Sequence, residues 1–243
     1  MVKERLLYSL LCQDTLVEIS DYLYKKNPEG ANEIINKLEA KYKQHIDELY
    51  STAEYKQKGL EIIKSHFDYI RSYTKDLFTL FEEKVVLAQG ELISTAMVNN
   101  YLLENGVKSV LLPALDFMRT DKNSEPDPTY IKEKLQTQLE LHPDADIYIT
   151  QGFICRNAYG EIDNLLRGGS DYTASLIGAA INASEIQIWT DIDGLHNNDP
   201  RIKQPLFVNF ISKRLPSLLT SELKYYTRHA YNRPNMPISL SVC

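Results

Sequence analysis

The sequence predicts an α/β fold in which a mostly parallel sheet is covered by helices. Two observations indicate this class. Between residues 31 and 83, apolar side chains recur every three to four positions, which is the period of an amphipathic helix. After residue 84, short apolar runs that end in Pro or Gly alternate with helical segments. Strand and helix alternating at this spacing are typical of parallel strands joined by crossover helices.

Length and composition are those of a soluble globular protein with one large domain or two small ones. The chain has 243 residues, of which 43% are apolar and 25% charged. A net charge of −6 without a basic stripe argues against a nucleic-acid partner. No apolar run reaches the length of a membrane span. Three widely spaced cysteines make no disulfide framework, so we expect a reducing cytoplasm and no membrane association.

The first half of the chain is predicted to be helical. Residues 14–26 form a helix with Leu16, Ile19 and Leu23 on one face, and "KNPEG" at 26–30 ends it. The 31–83 segment follows, with Lys and Glu on the faces away from its apolar positions, as expected of a solvated helix surface.

The second half is predicted to supply the sheet. Three apolar runs have the length and the ends of buried strands, and they are 108–114, 144–152 and 185–191. The helical segments near them are 92–105, 128–141 and 171–183. In sheets of this kind, ligands bind beyond the carboxyl ends of the strands, so the polar residues that follow these runs are the candidate site.

"RGGSD" at 167–171 precedes one of these helices. Gly168 and Gly169 let the backbone approach a ligand closely, and Ser170 and Asp171 are good N-caps beside free N–H groups that hold anions. Arg167 adds a planar fork for a carboxylate. A capped helix after a glycine turn explains the pentapeptide equally well, so both interpretations stay open.

"WTDIDGLHNNDPR" at 189–201 begins at a strand end. Thr190 and Asp191 would project a hydroxyl and a carboxylate into the crevice, and Arg201 could pair with phosphate oxygens. The simpler alternative is a surface loop rich in Asn, Asp and Gly, with His196 merely solvated.

"AQGELIST" at 88–95 places Gly90 and Glu91 at a predicted helix start. Glu91 could bind a substrate ammonium group, or it could be a first-turn acid that interacts with the helix dipole. Cys155 has no histidine or metal-ligand spacing near it and is interpreted as a small packing residue.

Four of these motifs together resemble one family. "GELIS" at 90–94, "QGFI" at 151–154, "RGGSDYTA" at 167–174 and "WTDIDGLHNNDPR" look like the motifs of aspartokinases, in the amino-acid kinase family, and their order and spacing match as well. The resemblance covers about residues 15–202. It implies a three-layer αβα sandwich, with 31–83 as the helical insertion that aspartokinases carry before the "GE" motif.

The resemblance also implies an activity and its substrate residues. Aspartokinases transfer the γ-phosphoryl group of ATP to the side-chain carboxylate of L-aspartate, with Mg²⁺, in the first step towards lysine, threonine and methionine. By resemblance, Glu91 binds the aspartate ammonium group and Arg167 its α-carboxylate. The other substrate-site residues would be Gly168, Gly169 and Ser170.

The nucleotide side follows from the same resemblance. Asp171 would be the catalytic-site residue that positions a lysine, while the residues in contact with ATP would be Thr190, Asp191, His196 and Arg201. The family usually has an aromatic residue where His196 stands, and many members have glycine at Leu166. No residue is predicted as a metal ligand. A homo-oligomer is expected of the intact family.

Both ends of the chain depart from the family pattern. The opening "KFGGTS" strand and its lysine are absent, and residues 203–243 differ from the family's continuation. Residues 203–243 can, however, be back-translated so that a shifted frame contains the family's "GAKILHP". Residues 1–14 yield a family-like strand and loop in the same way. We therefore expect 1–14 and 203–243 to be frame-shifted, 15–202 to be a partial kinase domain, and the chain to be inactive.

Three alternatives to this interpretation remain. The chain could be a divergent family member with new termini. It could be another amino-acid kinase, of glutamate or acetylglutamate type, although the helical insertion and "RGGSDYTA" argue against that. It could also be a binding module without catalysis that keeps part of an aspartate or nucleotide site.

Overall fold

Four long helices form the first half of the structure, a computed structural model that describes residues 2–75, 77–165, 169–188 and 241–242. They are α1 (Val2–Tyr24), α2 (Pro28–Leu49), α3 (Ala53–Ser72) and α4 (Leu80–Glu104). Helix α1 packs against α2 and α4, and α3 packs against the same two helices, so the four close into a bundle. Among the described residues, no helix is both long and apolar enough to cross a membrane.

The bundle core consists largely of apolar positions at helical spacing on α1, α2 and α3, together with three residues of α4. Its fully or almost fully buried side chains are Leu16, Ile19, Leu23, Ala31, Ile35, Leu38, Tyr42, Ile46, Tyr50, Ile63, Phe67, Ile70, Val86, Ile93 and Met97. Short polar side chains fix the helix starts, because they bind the free N–H groups of the first turn. Asn27 accepts from the Gly30 N–H, and Thr79 and Glu82 form a capping box at the start of α4.

Two predicted helix boundaries are wrong. The helix expected over 14–26 begins at Val2, in a stretch rich in Leu, Lys, Glu and Arg, which are strong helix formers. The helix expected over 92–105 begins at Leu80, so Gly90 lies inside it. The sequence hides this start because α4 is apolar nearly all round, and such a helix shows no single apolar face.

The second half contains short strands and three further helices. Strand β1 (Ser109–Leu111) pairs in parallel with β2 (Ile147–Ile149), with Ser109 opposite Ile147. Helices α5 (Ala114–Phe117) and α6 (Pro128–Glu140) lie between these strands in the chain. A hairpin of β3 (Ile154–Arg156) and β4 (Ile162–Asn164) follows, and then α7 (Gly169–Ala180). Strand β5 (Gln187–Ile188) pairs in parallel with β6 (Ser241–Val242).

These elements agree with the predicted class and differ from it in detail. Helix α6 and strands β1, β2 and β5 fall within the predicted segments, and the β1–β2 pair is parallel as expected. Helix α7 overlaps its predicted segment, 171–183, but begins two residues earlier and ends three residues earlier. The antiparallel β3–β4 hairpin and the one-turn helix α5 were not predicted. In the part of the chain that is described, β5 pairs with β6 and not with β1 or β2.

Helix α4 also contributes to a second core, beside the strands. The buried members of this core are Ala88, Leu112, Ala114, Phe117, Met118, Ile131, Leu135, Ile154, Cys155, Leu165 and Ile177. Since Val86, Ile93 and Met97 belong to the bundle core, α4 is the wall that the two cores share.

Candidate active site

Glu91 lies in the middle of α4, about three turns from the start of the helix. The prediction that it opens a helix is therefore wrong, and the alternative of a first-turn acid that interacts with the helix dipole does not apply. Its side chain is half-buried, and its carboxylate accepts a hydrogen bond from the Gly152 N–H.

Burial raises the pKa of Glu91 to about 7, and the hydrogen bond from Gly152 offsets only part of that rise. None of the ion pairs formed by the described side chains includes Glu91. A carboxylate that is desolvated and lacks a cation is destabilised in its charged form, and a cationic ligand would relieve that cost. Such perturbed groups are concentrated at functional sites.

Gly152 brings Glu91 and Ser170 together. A Cβ atom on Gly152 would lie 2.8 Å from Ser170 Oγ and 3.2 Å from Ser170 Cα, so only glycine allows this approach. The Gly152 N–H meanwhile contacts the Glu91 carboxylate. Glu91 and Ser170, which the resemblance assigns to the substrate site, thus both contact Gly152.

A second close contact packs the turn at 151–154 against the start of α7. A Cβ atom on Gly169 would lie 2.8 Å from Phe153 Cβ and 3.1 Å from Leu165 Cβ. Thr173 Oγ1 accepts from the Phe153 N–H at 3.1 Å and donates to the Gly169 carbonyl at 2.8 Å. Gly169 therefore has a packing reason to be glycine that does not depend on a ligand.

Ser170 and Asp171 lie within the first turn of α7, because the helix begins at Gly169. The sequence predicts both residues as N-caps, but they are the second and third residues of the helix itself. Burial raises the pKa of the Asp171 carboxyl above its ordinary range. The helix N-terminus acts in the opposite direction, since its partial positive charge favours a carboxylate.

Six predicted site residues lie outside the described residues, and they are Arg167, Gly168, Thr190, Asp191, His196 and Arg201. The expectation that Thr190 and Asp191 project into the crevice concerns these residues too. Over the ranges that are described, no group of three or more His, Cys, Asp or Glu side chains could hold a metal ion.

Sequence reasoning missed Gln151 and Gly152 as site residues. The available signal was their place directly after the β2 segment, where ligands bind in such sheets. The packing role predicted for Cys155 fits its complete burial in β3. Burial, and then the Asp163 carboxylate, raise the pKa of its thiol to about 12, which makes it unreactive at neutral pH.

Comparison with known proteins agrees with these features. The sequence model of the amino acid kinase family matches residues 29–210. Lysine-sensitive aspartokinase 3 of Escherichia coli (strain K12) is 38% identical over 120 residues, which are 48% of this chain and 27% of that protein. The aspartokinase of Chlamydia trachomatis is 34% identical over 152 residues, 60% of this chain and 35% of that protein. The matched region is thus about a third or less of these relatives.

Solved structures show a similarity to the same group of enzymes. E. coli aspartokinase III in complex with aspartate and ADP superposes with a TM-score of 0.63 and 26% identity, over 75% of this chain and 42% of that chain. Its complex with lysine and aspartate gives a TM-score of 0.62 and 25% identity, over 76% of this chain and 43% of the other. Since the family match extends over more than half of the 243 residues, the chain belongs to the amino acid kinase family.

Proposed function

We propose that this chain derives from an aspartokinase, which phosphorylates the side-chain carboxylate of L-aspartate at the expense of ATP to give 4-phospho-L-aspartate. The observation that carries the proposal is that Gly152 contacts both the Glu91 carboxylate and Ser170. The likeness to aspartokinases, one of them solved with aspartate and ADP, supports it.

In this proposal, Glu91 receives the aspartate ammonium group. Its carboxylate lacks a cation among the described side chains and is only partly stabilised by the Gly152 N–H. An ammonium group placed there would lower the pKa of Glu91 and recover the cost of burying its charge. Arg167 would hold the α-carboxylate with Ser170 nearby, and Gly168 and Gly169 would belong to the same substrate site, as the resemblance implies.

The nucleotide side of the proposal rests on the family resemblance. Thr190, Asp191, His196 and Arg201 would contact ATP, and Asp171 would orient a lysine towards the transferring phosphate. Phosphoryl transfer depends on positioning and on neutralising charge. Magnesium supplies such neutralisation when bound, but no described residue is assigned to it, because the described side chains form no three-ligand cluster.

The remaining parts of the proposal concern this particular chain. Its ends, 1–14 and 203–243, are frame-shifted translations around a partial kinase domain, since both yield family sequence in a shifted frame. Residues 1–243 by themselves contain no counterpart of the family's lysine and glycine loop, whose groups neutralise transition-state charge, so we propose that these residues alone are inactive. A cytoplasmic location, a homo-oligomeric parent, and the absence of nucleic-acid and membrane partners belong to the same proposal.

Calorimetry and a phosphotransfer assay test the proposal together. L-aspartate should bind the full chain, Glu91→Gln should weaken that binding at least tenfold, and the exposed-surface control Glu61→Gln should not. No ATP turnover is expected with aspartate. Preferential binding or phosphorylation of glutamate or acetylglutamate would favour another amino-acid kinase. Aspartate-dependent turnover by this chain would contradict the proposed inactivity, and turnover restored by repairing both ends would support it.

A further inference from the structure

Gln151 is a buried side chain whose amide joins three elements. It is 1% exposed and lies two residues beyond the end of β2. Its Oε1 accepts from the Ala114 N–H at the start of α5, at 2.7 Å. Its Nε2 donates to Thr95 Oγ1 of α4, at 2.8 Å. Because Ala114 donates a hydrogen bond and Thr95 accepts one, only one orientation of the amide satisfies both partners.

The contact with Thr95 leads directly to Glu91. Thr95 is one turn further along α4, and its hydroxyl donates to the Glu91 carbonyl at 2.7 Å. The residue after Gln151 is Gly152, whose N–H donates to the Glu91 carboxylate. Residues 151 and 152 are therefore tied to both the backbone and the side chain of Glu91.

We propose that Gln151 is a positioning residue that holds the Gly152 N–H against the Glu91 carboxylate and so fixes the direction in which that carboxylate is presented. The hydrogen bonds themselves are independent of the activity. Only the consequence for substrate rests on the proposed function, in which Glu91 binds the aspartate ammonium group.

Glutamine suits this position because its amide can accept a hydrogen bond from the Ala114 N–H and donate one to the Thr95 hydroxyl. A carboxylate at 151 would accept from Ala114 but could not donate to Thr95, and it would add a negative charge near Glu91. An apolar side chain would leave the Ala114 N–H buried without its partner, which is costly.

The test measures the pKa of Glu91 in the full chain from its carboxyl ¹³C shift, assigned with Glu91→Gln. In Gln151→Ala, the Gly152 N–H is no longer held, and the pKa of Glu91 should rise by about one pH unit. Thr95→Val removes the hydroxyl at nearly constant volume and should raise the pKa in the same direction. Thr95→Ser keeps the hydroxyl and should leave the pKa unchanged.

Gln89→Ala is the matched control. Gln89 is 2% exposed and lies two residues from Glu91 on α4, but it bonds His66 Nδ1 and the Val85 carbonyl instead of the turn. Its truncation should destabilise the fold to a similar extent without moving the pKa of Glu91. An equal rise in Gln89→Ala would show a merely structural effect and overturn the proposal.

Failure of the two proposals can be told apart. An unchanged pKa of Glu91 in Gln151→Ala and Thr95→Val overturns the positioning role, whatever aspartate does. If Gln151→Ala does not fold, Thr95→Val alone decides. If the pKa moves as expected while wild-type chain binds no aspartate, the positioning role stands and the assignment of aspartate as ligand fails.

Discussion

The bundle core and the turn at 151–154 are held together by different means. In the bundle, apolar side chains from α1–α4 interlock, as Phe67 and Tyr42 do with ring centres 5.8 Å apart. At the turn, single hydrogen bonds and two close glycine contacts position the chain. The stability of the bundle therefore depends on the total apolar area that is buried. The geometry of the turn depends on a few hydrogen-bonding groups, and no neighbouring group replaces one that is removed.

This difference separates stability from site geometry. Damage to the bundle should lower the free energy of unfolding and leave the Glu91 environment intact until the fold is lost. Damage at the turn should change Glu91 at a smaller cost in stability.

The largest expected effect is in the bundle. Phe67→Ala removes a completely buried ring and should lower the free energy of unfolding by about 3–5 kcal/mol, because a cavity remains. Denaturant titration measures this loss. The exposed Lys64→Ala on the same helix should change it by less than about 0.5 kcal/mol. A small loss in Phe67→Ala would mean that the bundle core is not packed as described.

The next effect depends on pH. The folded chain holds the pKa of Glu91 near 7, above its ordinary value of 4.5. Folding therefore takes up a proton between these values, so the stabilising contribution is complete below pH 4.5 and is lost as pH rises through 7. Relative to Glu91→Gln, the wild-type chain should lose about 2–3 kcal/mol between pH 4.5 and 8. Parallel stability curves for the two proteins would contradict the burial of this carboxyl.

A smaller effect is expected at the turn itself. Gly152→Ala places a methyl group 2.8 Å from Ser170 Oγ and should cost about 1–3 kcal/mol through overpacking. The same change should displace the N–H that contacts Glu91, so the pKa of Glu91 should rise. Gly106→Ala is a useful comparison, since that glycine has open space around it and a φ of +77°, and its cost is conformational only. A Glu91 pKa that is unmoved by Gly152→Ala would separate the two contacts of Gly152.

The smallest effect concerns the start of α4. Thr79→Ala removes the capping box with Glu82 and should cost about 1 kcal/mol. The pKa of Glu91, about three turns away, should not change. A pKa change here would show that the helix end and the site are coupled, against the separation described above.

The helical character of α2 and α3 could be predicted because each of these helices has one apolar face. Ile35, Leu38, Tyr42 and Ile46 recur at helical spacing, and all four are buried. The start of α4 was missed because that helix is covered on two sides. The β3–β4 hairpin was missed because its strands contain charged or polar residues and form no apolar run such as those that contain β1 and β2.

The candidate site was only partly predictable for a related reason. Glu91, Gly169, Ser170 and Asp171 belong to the motifs named in the sequence analysis. The first three of them contact the turn at 151–154. The contacts of Gln151 with Thr95 and Ala114 join residues that are far apart in sequence, and no periodicity reports such a bond. The roles proposed for Arg167, Thr190 and Arg201 remain predictions.

The position of α4 between two cores has a consequence for motion. Amides near its centre can exchange with solvent only if one of two packed faces opens, so the backbone that carries Glu91 should be among the slowest to exchange. The N–H groups in the first turn of α7 lack the intrahelical partners that residues at the centre of α4 have, so this turn is restrained by fewer backbone hydrogen bonds. Adjustment around an incoming ligand would then come from the start of α7, while Glu91 acts as the fixed reference point.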